Sequence, residues 1–251
     1  MSIEAVIFDI DQTLLDWSGR LVGWFSDPQG HNLHLAQLAR HFAPQVNQAE
    51  LDELSKVFRQ HQRELLQEVQ DGDGPAPHLG RMLHYCLGQV GLVGQEASPD
   101  ELLRLYNWVR TPDVKPFPDV IPGLQALTAA GYRFGIITNG YQPMWQRDLE
   151  LESYGLLHFF PSCRFSAADL GILKPDPQIF ETALNCLGLQ ASQAVYVGDD
   201  PVMDVLGAQE VNMKGIWRIP TGQDENAWKF RVKPDGTITH LGELLGMLAA
   251  W

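Results

Sequence analysis

The chain has little cysteine, little positive charge and no long apolar run, and each shortage removes a class of function. Its 251 residues include three cysteines, Cys86, Cys163 and Cys186, odd in number and widely separated. Such a set suits neither a disulfide-stapled secreted scaffold nor a zinc site, so all three are expected to be reduced core residues of a cytoplasmic protein. Lysine and arginine number 18 against 31 aspartates and glutamates, a net charge of −13. A phosphate backbone demands a basic surface, so a nucleic acid polymer is excluded as partner. No stretch reaches the length of a membrane span and the opening Met1-Ser2-Ile3-Glu4 is unlike a signal peptide, so no membrane association is expected. Among eight histidines only His31 and His34 stand at a ligand-like spacing, and with no third ligand following they read as loop and helix surface. Repeats and low-complexity tracts are absent.

What remains is a set of polar groups delivered at the ends of apolar runs. Ala5-Val6-Ile7-Phe8 reads as a buried strand and ends in Asp9-Ile10-Asp11-Gln12-Thr13. Two carboxylates this close favour a hard cation held by oxygen, with one carboxylate able to act as nucleophile. A turn rich in Asp and Thr is the plainer reading of the same residues. Tyr132 to Ile137 ends in Thr138-Asn139-Gly140, which offers a hydroxyl, an amide and a glycine backbone suited to phosphate oxygens. Lys174 is a lone cation in a stiff segment, Lys174-Pro175-Asp176-Pro177. Ala194 to Val197 runs into Gly198-Asp199-Asp200-Pro201, with Asp204 beyond. Open α/β sheets keep their active sites at such strand exits.

In this order, Asp9/Asp11/Thr13, Thr138, Lys174, and Asp199 with Asp204 resemble the four motifs of the haloacid dehalogenase superfamily, and the likeness spans nearly the whole chain. The resemblance implies an Mg²⁺-dependent phosphatase. Asp9 would be the nucleophile that forms an aspartyl phosphate, and Asp11 the general acid and base. Thr138, Asn139 and Lys174 would surround the transferring oxygens. Asp9, the Asp11 carbonyl and Asp199 would ligate Mg²⁺, with Asp204 and Asp200 behind them and Thr13 steadying the turn. Carbon–halogen cleavage belongs to a branch without an acid at the position of Asp11, so Asp11 points to an oxygen leaving group. A phosphomutase and a catalytically idle binding protein of the same fold stay open. Phosphonate cleavage would need a cap amine, and Lys56, mid-helix, reads as solvated face.

Periodicity organises the rest. From Asp16 to Thr111 the strand pattern gives way to helical spacing, with Leu51, Leu54, Phe58 and Leu65 on one helix face and Leu79, Met82, Leu83 and Cys86 on another. Ser98-Pro99-Asp100-Glu101 supplies a capping box for a further helix. The expected fold is therefore α/β: a Rossmann-like, doubly wound parallel sheet formed by residues 1–15 and 112–251, with a helical-bundle cap, residues 16–111, inserted after the first motif. Helices are expected at Pro122–Ala130, Pro143–Tyr154, Gln178–Leu187 and Leu241–Ala250, and strands at Ala194–Val197 and Gly215–Arg218. The resemblance adds a strand order of 3-2-1-4-5. The expected substrate is a small phosphorylated metabolite: a nucleoside monophosphate, a sugar phosphate or a phosphorylated organic acid. Trp17, Arg20, Trp24 and Phe25 stand near the cap hinge, where they either stack on a substrate ring or pack the hinge.

Overall fold

The computed structural model describes residues 2–18, 28–72, 74–92, 96–111, 113–219 and 232–251. Along the chain the elements are β1 (Ala5–Phe8), β2 (Leu15–Asp16), α1 (Pro28–Phe42), α2 (Gln48–Asp71), α3 (Leu79–Gln89), α4 (Pro99–Tyr106), β3 (Lys115–Pro116), α5 (Val120–Ala129), β4 (Arg133–Thr138), α6 (Met144–Ser153), β5 (Arg164–Ser166), α7 (Ala167–Leu170), α8 (Pro177–Leu187), β6 (Ala194–Gly198), α9 (Gly207–Glu210), β7 (Lys214–Arg218), β8 (Gly236–Ile238) and α10 (Glu243–Ala249). A π-helical turn, Pro201–Leu206, leads into α9.

Four consecutive buried residues make β1 apolar on both faces, which suits the interior of a parallel sheet covered on both sides. It pairs in parallel with β4 on one side and β6 on the other, and the full order is β5-β4-β1-β6-β7-β8. The order 3-2-1-4-5 is therefore present, extended by an edge strand, Gly236–Ile238, that sequence periodicity does not reveal. One face buries Phe8, Leu124, Phe134, Leu151 and Phe160, and the other buries Ile7, Ile179, Phe180, Leu184 and Tyr196. The expected helices are present within two residues at either end, and Asp176 and Gly188 close α8 as N-cap and left-handed C-cap.

The two chain crossings between sheet and helical segment lie side by side: β2 pairs antiparallel with β3, Leu15 opposite Pro116 and Asp16 opposite Lys115. Helices α1 to α4 pack on one another around Leu38, Leu54, Phe58, Met82, Leu83 and Leu102. The Ser98–Glu101 capping box forms, and a second one joins Asn47 to Glu50 at the start of α2. Lys56 is exposed and pairs with Glu53, as a solvated face requires. The α2–α3 loop reaches the sheet side, where Ala76 donates its N–H to the Gly171 carbonyl at 3.0 Å and Leu79 to that of Tyr141 at 2.7 Å.

The cysteine expectation fails for two of the three. Cys163 and Cys186 form a disulfide; only Cys86 is free, and it is buried. The partners are 23 residues apart and match no framework, and only the packing of the end of α8 against the start of β5 brings their Cα atoms to 5.6 Å. Cysteine usage therefore lends no support to a reducing compartment. Among the described residues no helix is long and apolar enough to cross a membrane. His34 donates its Nδ1–H to the Tyr106 carbonyl, 2.9 Å away. Thr13 is fully buried and its hydroxyl has no partner among the described residues, where main-chain bonds from Thr13 and Leu14 to Ile10 hold the turn.

Candidate active site

The exits of β1, β4 and β6 and the loop before α8 open on one cavity of about 480 Å³, lined among others by Asp9, Asp11, Thr138, Lys174, Asp199 and Asp204. Each side chain arrives from a different segment, so its position depends on strand register. Lys174, 3% exposed, is the hub. Its ammonium donates to Asp9 Oδ1 and Asp204 Oδ1, both at 2.7 Å, and to the Tyr196 hydroxyl at 3.0 Å. Burial alone would pull a lysine down, but the Asp204 and Asp9 charges reverse this and hold Lys174 well above its ordinary value.

Asp204 is a support. Lys174 takes Oδ1, and the Asp200 N–H donates to Oδ2 at 2.9 Å. That close approach requires Gly198, where an added Cβ would meet Asp204 Oδ2 at 2.2 Å. Asp200 caps the π-helical turn by accepting from the Val202 and Met203 N–H groups. Thr138 is 1% exposed and its hydroxyl accepts the Gly140 N–H at 3.1 Å. The Asn139 side chain bridges the Lys174 main chain, accepting its N–H at 2.9 Å and donating to its carbonyl at 3.2 Å. Its side-chain amide is therefore engaged in fixing Lys174.

Carboxylate oxygens of Asp9, Asp199 and Asp204 lie within 4.8 Å of one another. Burial raises Asp9 to about 7 against the pull of Lys174, with Asp204 and Asp11 adding repulsion. Burial, then the Asp9 and Asp204 charges, raises Asp199 to about 9. Three crowded acids with one ammonium leave a deficit of positive charge, and an all-oxygen donor set fits a hard divalent cation.

Asp11, at the cavity mouth, is held in a way its sequence neighbours do not announce. Its Oδ1 accepts from Arg147 Nη2 at 2.8 Å and from the Trp17 indole N–H at 3.0 Å. Arg147 is 1% exposed, and its other end meets the fully buried Glu150 at 2.9 Å. Trp17 packs against both the sheet core and the helical core; Arg20, Trp24 and Phe25 lie outside the described residues. Arg147, Glu150 and Tyr196 thus join the expected residues, and Trp17, already singled out by the sequence, is bonded to Asp11. Arg147 and Glu150 sit on an amphipathic helix where no motif marks them, and Tyr196 falls inside an apolar strand that reads as core.

Comparison with known proteins agrees with this arrangement. Residues 3–212 match the family described as haloacid dehalogenase-like hydrolase. A glyceraldehyde 3-phosphate phosphatase of Methanopyrus kandleri is 29% identical over 98% of this chain and 97% of its own. Two solved structures align over nearly their full length. A 2-haloacid dehalogenase from Pseudomonas syringae has 28% identity and a TM-score of 0.65, covering 99% of each chain. A phosphatase of the same superfamily from Thermococcus onnurineus has 26% identity and a TM-score of 0.59, covering 98% of each. With the four polar strand and loop ends meeting in one cavity and the family match spanning most of its length, the chain belongs to the haloacid dehalogenase-like hydrolases.

Proposed function

We propose that the protein is a phosphatase that hydrolyses a small phosphomonoester through an aspartyl phosphate on Asp9. The observation that carries this reading is the pairing, two residues apart, of a buried carboxylate held by Lys174 and a second carboxylate, Asp11, at the cavity mouth. In the first half-reaction an Asp9 oxygen attacks phosphorus, the bond from phosphorus to the ester oxygen breaks, and Asp11 gives its proton to the departing alkoxide. In the second, Asp11 takes a proton from water, the hydroxide attacks phosphorus, and the bond to Asp9 breaks, returning both carboxylates to their starting state. Lys174 and the Thr138 hydroxyl stabilise the phosphoryl oxygens, because phosphoryl transfer depends chiefly on positioning and electrostatics. Asp9, Asp199 and the Asp11 carbonyl would hold Mg²⁺, which when bound supplies charge neutralisation at the phosphoryl group. Asp204 and Asp200 keep Lys174 and the turn beneath it in place.

The helical segment, residues 16–111, is read as a cap whose two-stranded neck, β2 with β3, and Trp17 form the hinge. A cavity of about 480 Å³ suits a small organic phosphate, and the archaeal relative is named for a triose phosphate. A sugar phosphate is accordingly the preferred substrate class. The likeness to a haloacid dehalogenase favours a competing reading, against which Asp11 stands: a departing halide needs no proton donor.

The test is a set of phosphomonoesters and 2-haloacids incubated with Mg²⁺, scored for phosphate and for halide. Phosphate release should fall roughly two to four orders of magnitude in Asp11→Asn, and Asp9→Asn should also lose the aspartate-bound fluoride adduct that mimics the intermediate. Halide release without phosphate release would replace this reading.

A further inference from the structure

We infer that Arg147 is a positioning residue for Asp11, fixing the orientation of the acid and base carboxylate through a fork whose rear prong is anchored on Glu150. The inference rests on the phosphatase reading above and names a group it does not use. Arg147 Nη2 meets Asp11 Oδ1 at 2.8 Å while Nη1 meets Glu150 Oε2 at 2.9 Å. The arginine and the glutamate are 1% and 0% exposed, whereas the Asp11 side chain is 36% exposed. The charges are thus buried at one end and open to the cavity at the other.

Stability is a poor explanation for this arrangement. A buried ion pair often does no better than well-packed apolar side chains of similar volume. Here it is also incompletely satisfied, since among the described residues Arg147 Nε and both Glu150 oxygens lack a hydrogen-bond partner, and Glu150 meets the guanidinium at 2.9 Å as a charge contact only. What the arrangement does provide is geometry. A planar guanidinium, fully buried with one nitrogen against the Glu150 carboxyl, can present the other along only a narrow range of directions. The Trp17 indole N–H converges on the same Oδ1 at 3.0 Å, and neither bond engages Oδ2. One oxygen of Asp11 is thereby pinned, which fixes the direction in which the other can exchange a proton with a leaving group or with water. Helix α6 is itself anchored for this purpose at its start, where the Met144 N–H donates to Asp169 at 2.6 Å.

The experiment compares an alkyl phosphomonoester, whose alkoxide must be protonated as it leaves, with 4-nitrophenyl phosphate, whose phenolate leaves without help. For Arg147→Met, kcat/KM for the alkyl ester should fall about 100-fold and that for the aryl ester less than about tenfold, with Arg147→Lys between Met and wild type. In an Asp11→Asn background, Arg147→Met should cause no further loss on the alkyl ester, since a residue that acts through Asp11 has nothing left to act on. Circular dichroism and thermal unfolding check that each variant is folded, and if Arg147→Met is not, Arg147→Lys carries the comparison with the same ordering of substrates. Equal losses on both esters, or a full additional loss in the Asp11→Asn background, would overturn the positioning role and leave the phosphatase reading intact. A wild-type protein that releases phosphate from neither ester would remove the phosphatase reading, and this inference with it.

Discussion

Lys174 Nζ stands 2.7 Å from Asp9 Oδ1 across 165 residues of sequence, in a site where both groups are nearly excluded from water. Such a pair is costly to bury and costly to break. Its value to the protein is that the ammonium opposes the burial that raises Asp9 and aims the carboxylate within a low-dielectric site.

Lys174→Met tests this directly. The substitution leaves Asp9 and Asp204 facing each other without their cation, so unfolding in metal-free buffer at neutral pH should cost about 3 kcal/mol less than in wild type. Phosphate release should drop about 100-fold or more as a stabilising charge is lost. Denaturant melts and initial rates on the same preparations check both. A variant as stable and as active as wild type would show that the ammonium is dispensable.

The four motif ends were legible in the sequence because each is a short polar string after an apolar run, and the sheet converts that pattern into proximity. Asp9, Thr138 and Asp199 need only their strands to be parallel and in register to meet. Arg147 and Glu150 were not legible, since a charged residue on a helix is ordinarily solvated and only tertiary packing puts these two inside. Strands β5 and β8 are three residues each, too short for alternation to register. The Cys163–Cys186 bridge was hidden for a related reason: neither spacing nor neighbours distinguish it from two buried thiols. The double hydrogen bond from the Asn139 side chain to the Lys174 main chain is likewise a tertiary contact that its place after Thr138 does not announce.

Mg²⁺ should stabilise the protein most at high pH. With the metal absent, Asp9 and Asp199 stand at about 7 and about 9, above the ordinary carboxylate value of 3.8. The folded chain then holds protons that the unfolded chain has released, so metal-free stability declines as pH rises from about 4 toward 9. A cation must displace those protons, and its apparent affinity should climb over the upper part of the same range. Thermal shifts with Mg²⁺ and with chelator at pH 6 and pH 9 measure this, and a larger shift at pH 6 would contradict the assignment of these carboxylates as its ligands.

Glu150 gives a second pH dependence that owes nothing to metal. Burial raises its carboxyl from 4.5 to about 7, against the pull of Arg147. Between these values the folded state keeps the proton and the unfolded state loses it, so the wild-type chain forfeits stability as pH rises through that window and levels off above it. Glu150→Gln cannot titrate. Relative to that variant, wild type should lose on the order of 3 kcal/mol between pH 4.5 and 7. Parallel denaturant titrations across the range read the difference, and curves that stay a constant distance apart would place the carboxyl at an ordinary value.

The Cys163–Cys186 disulfide should matter to stability and not to catalysis. It closes a loop of 23 residues, for which loop-closure entropy in the unfolded chain corresponds to about 3 kcal/mol. Cys163 lies just before β5, at the amino edge of the sheet, while Asp9, Thr138 and Asp199 leave their strands at the opposite, carboxyl edge. Cys186 is exposed near the end of α8, so a reductant can reach the bridge in the folded protein. Added reductant, or Cys186→Ser, should therefore lower the denaturant midpoint by an amount corresponding to roughly 2–4 kcal/mol while leaving kcat/KM unchanged. A collapse of activity with the fold still intact would mean that the bridge holds β5 in the register on which the Lys174 loop depends.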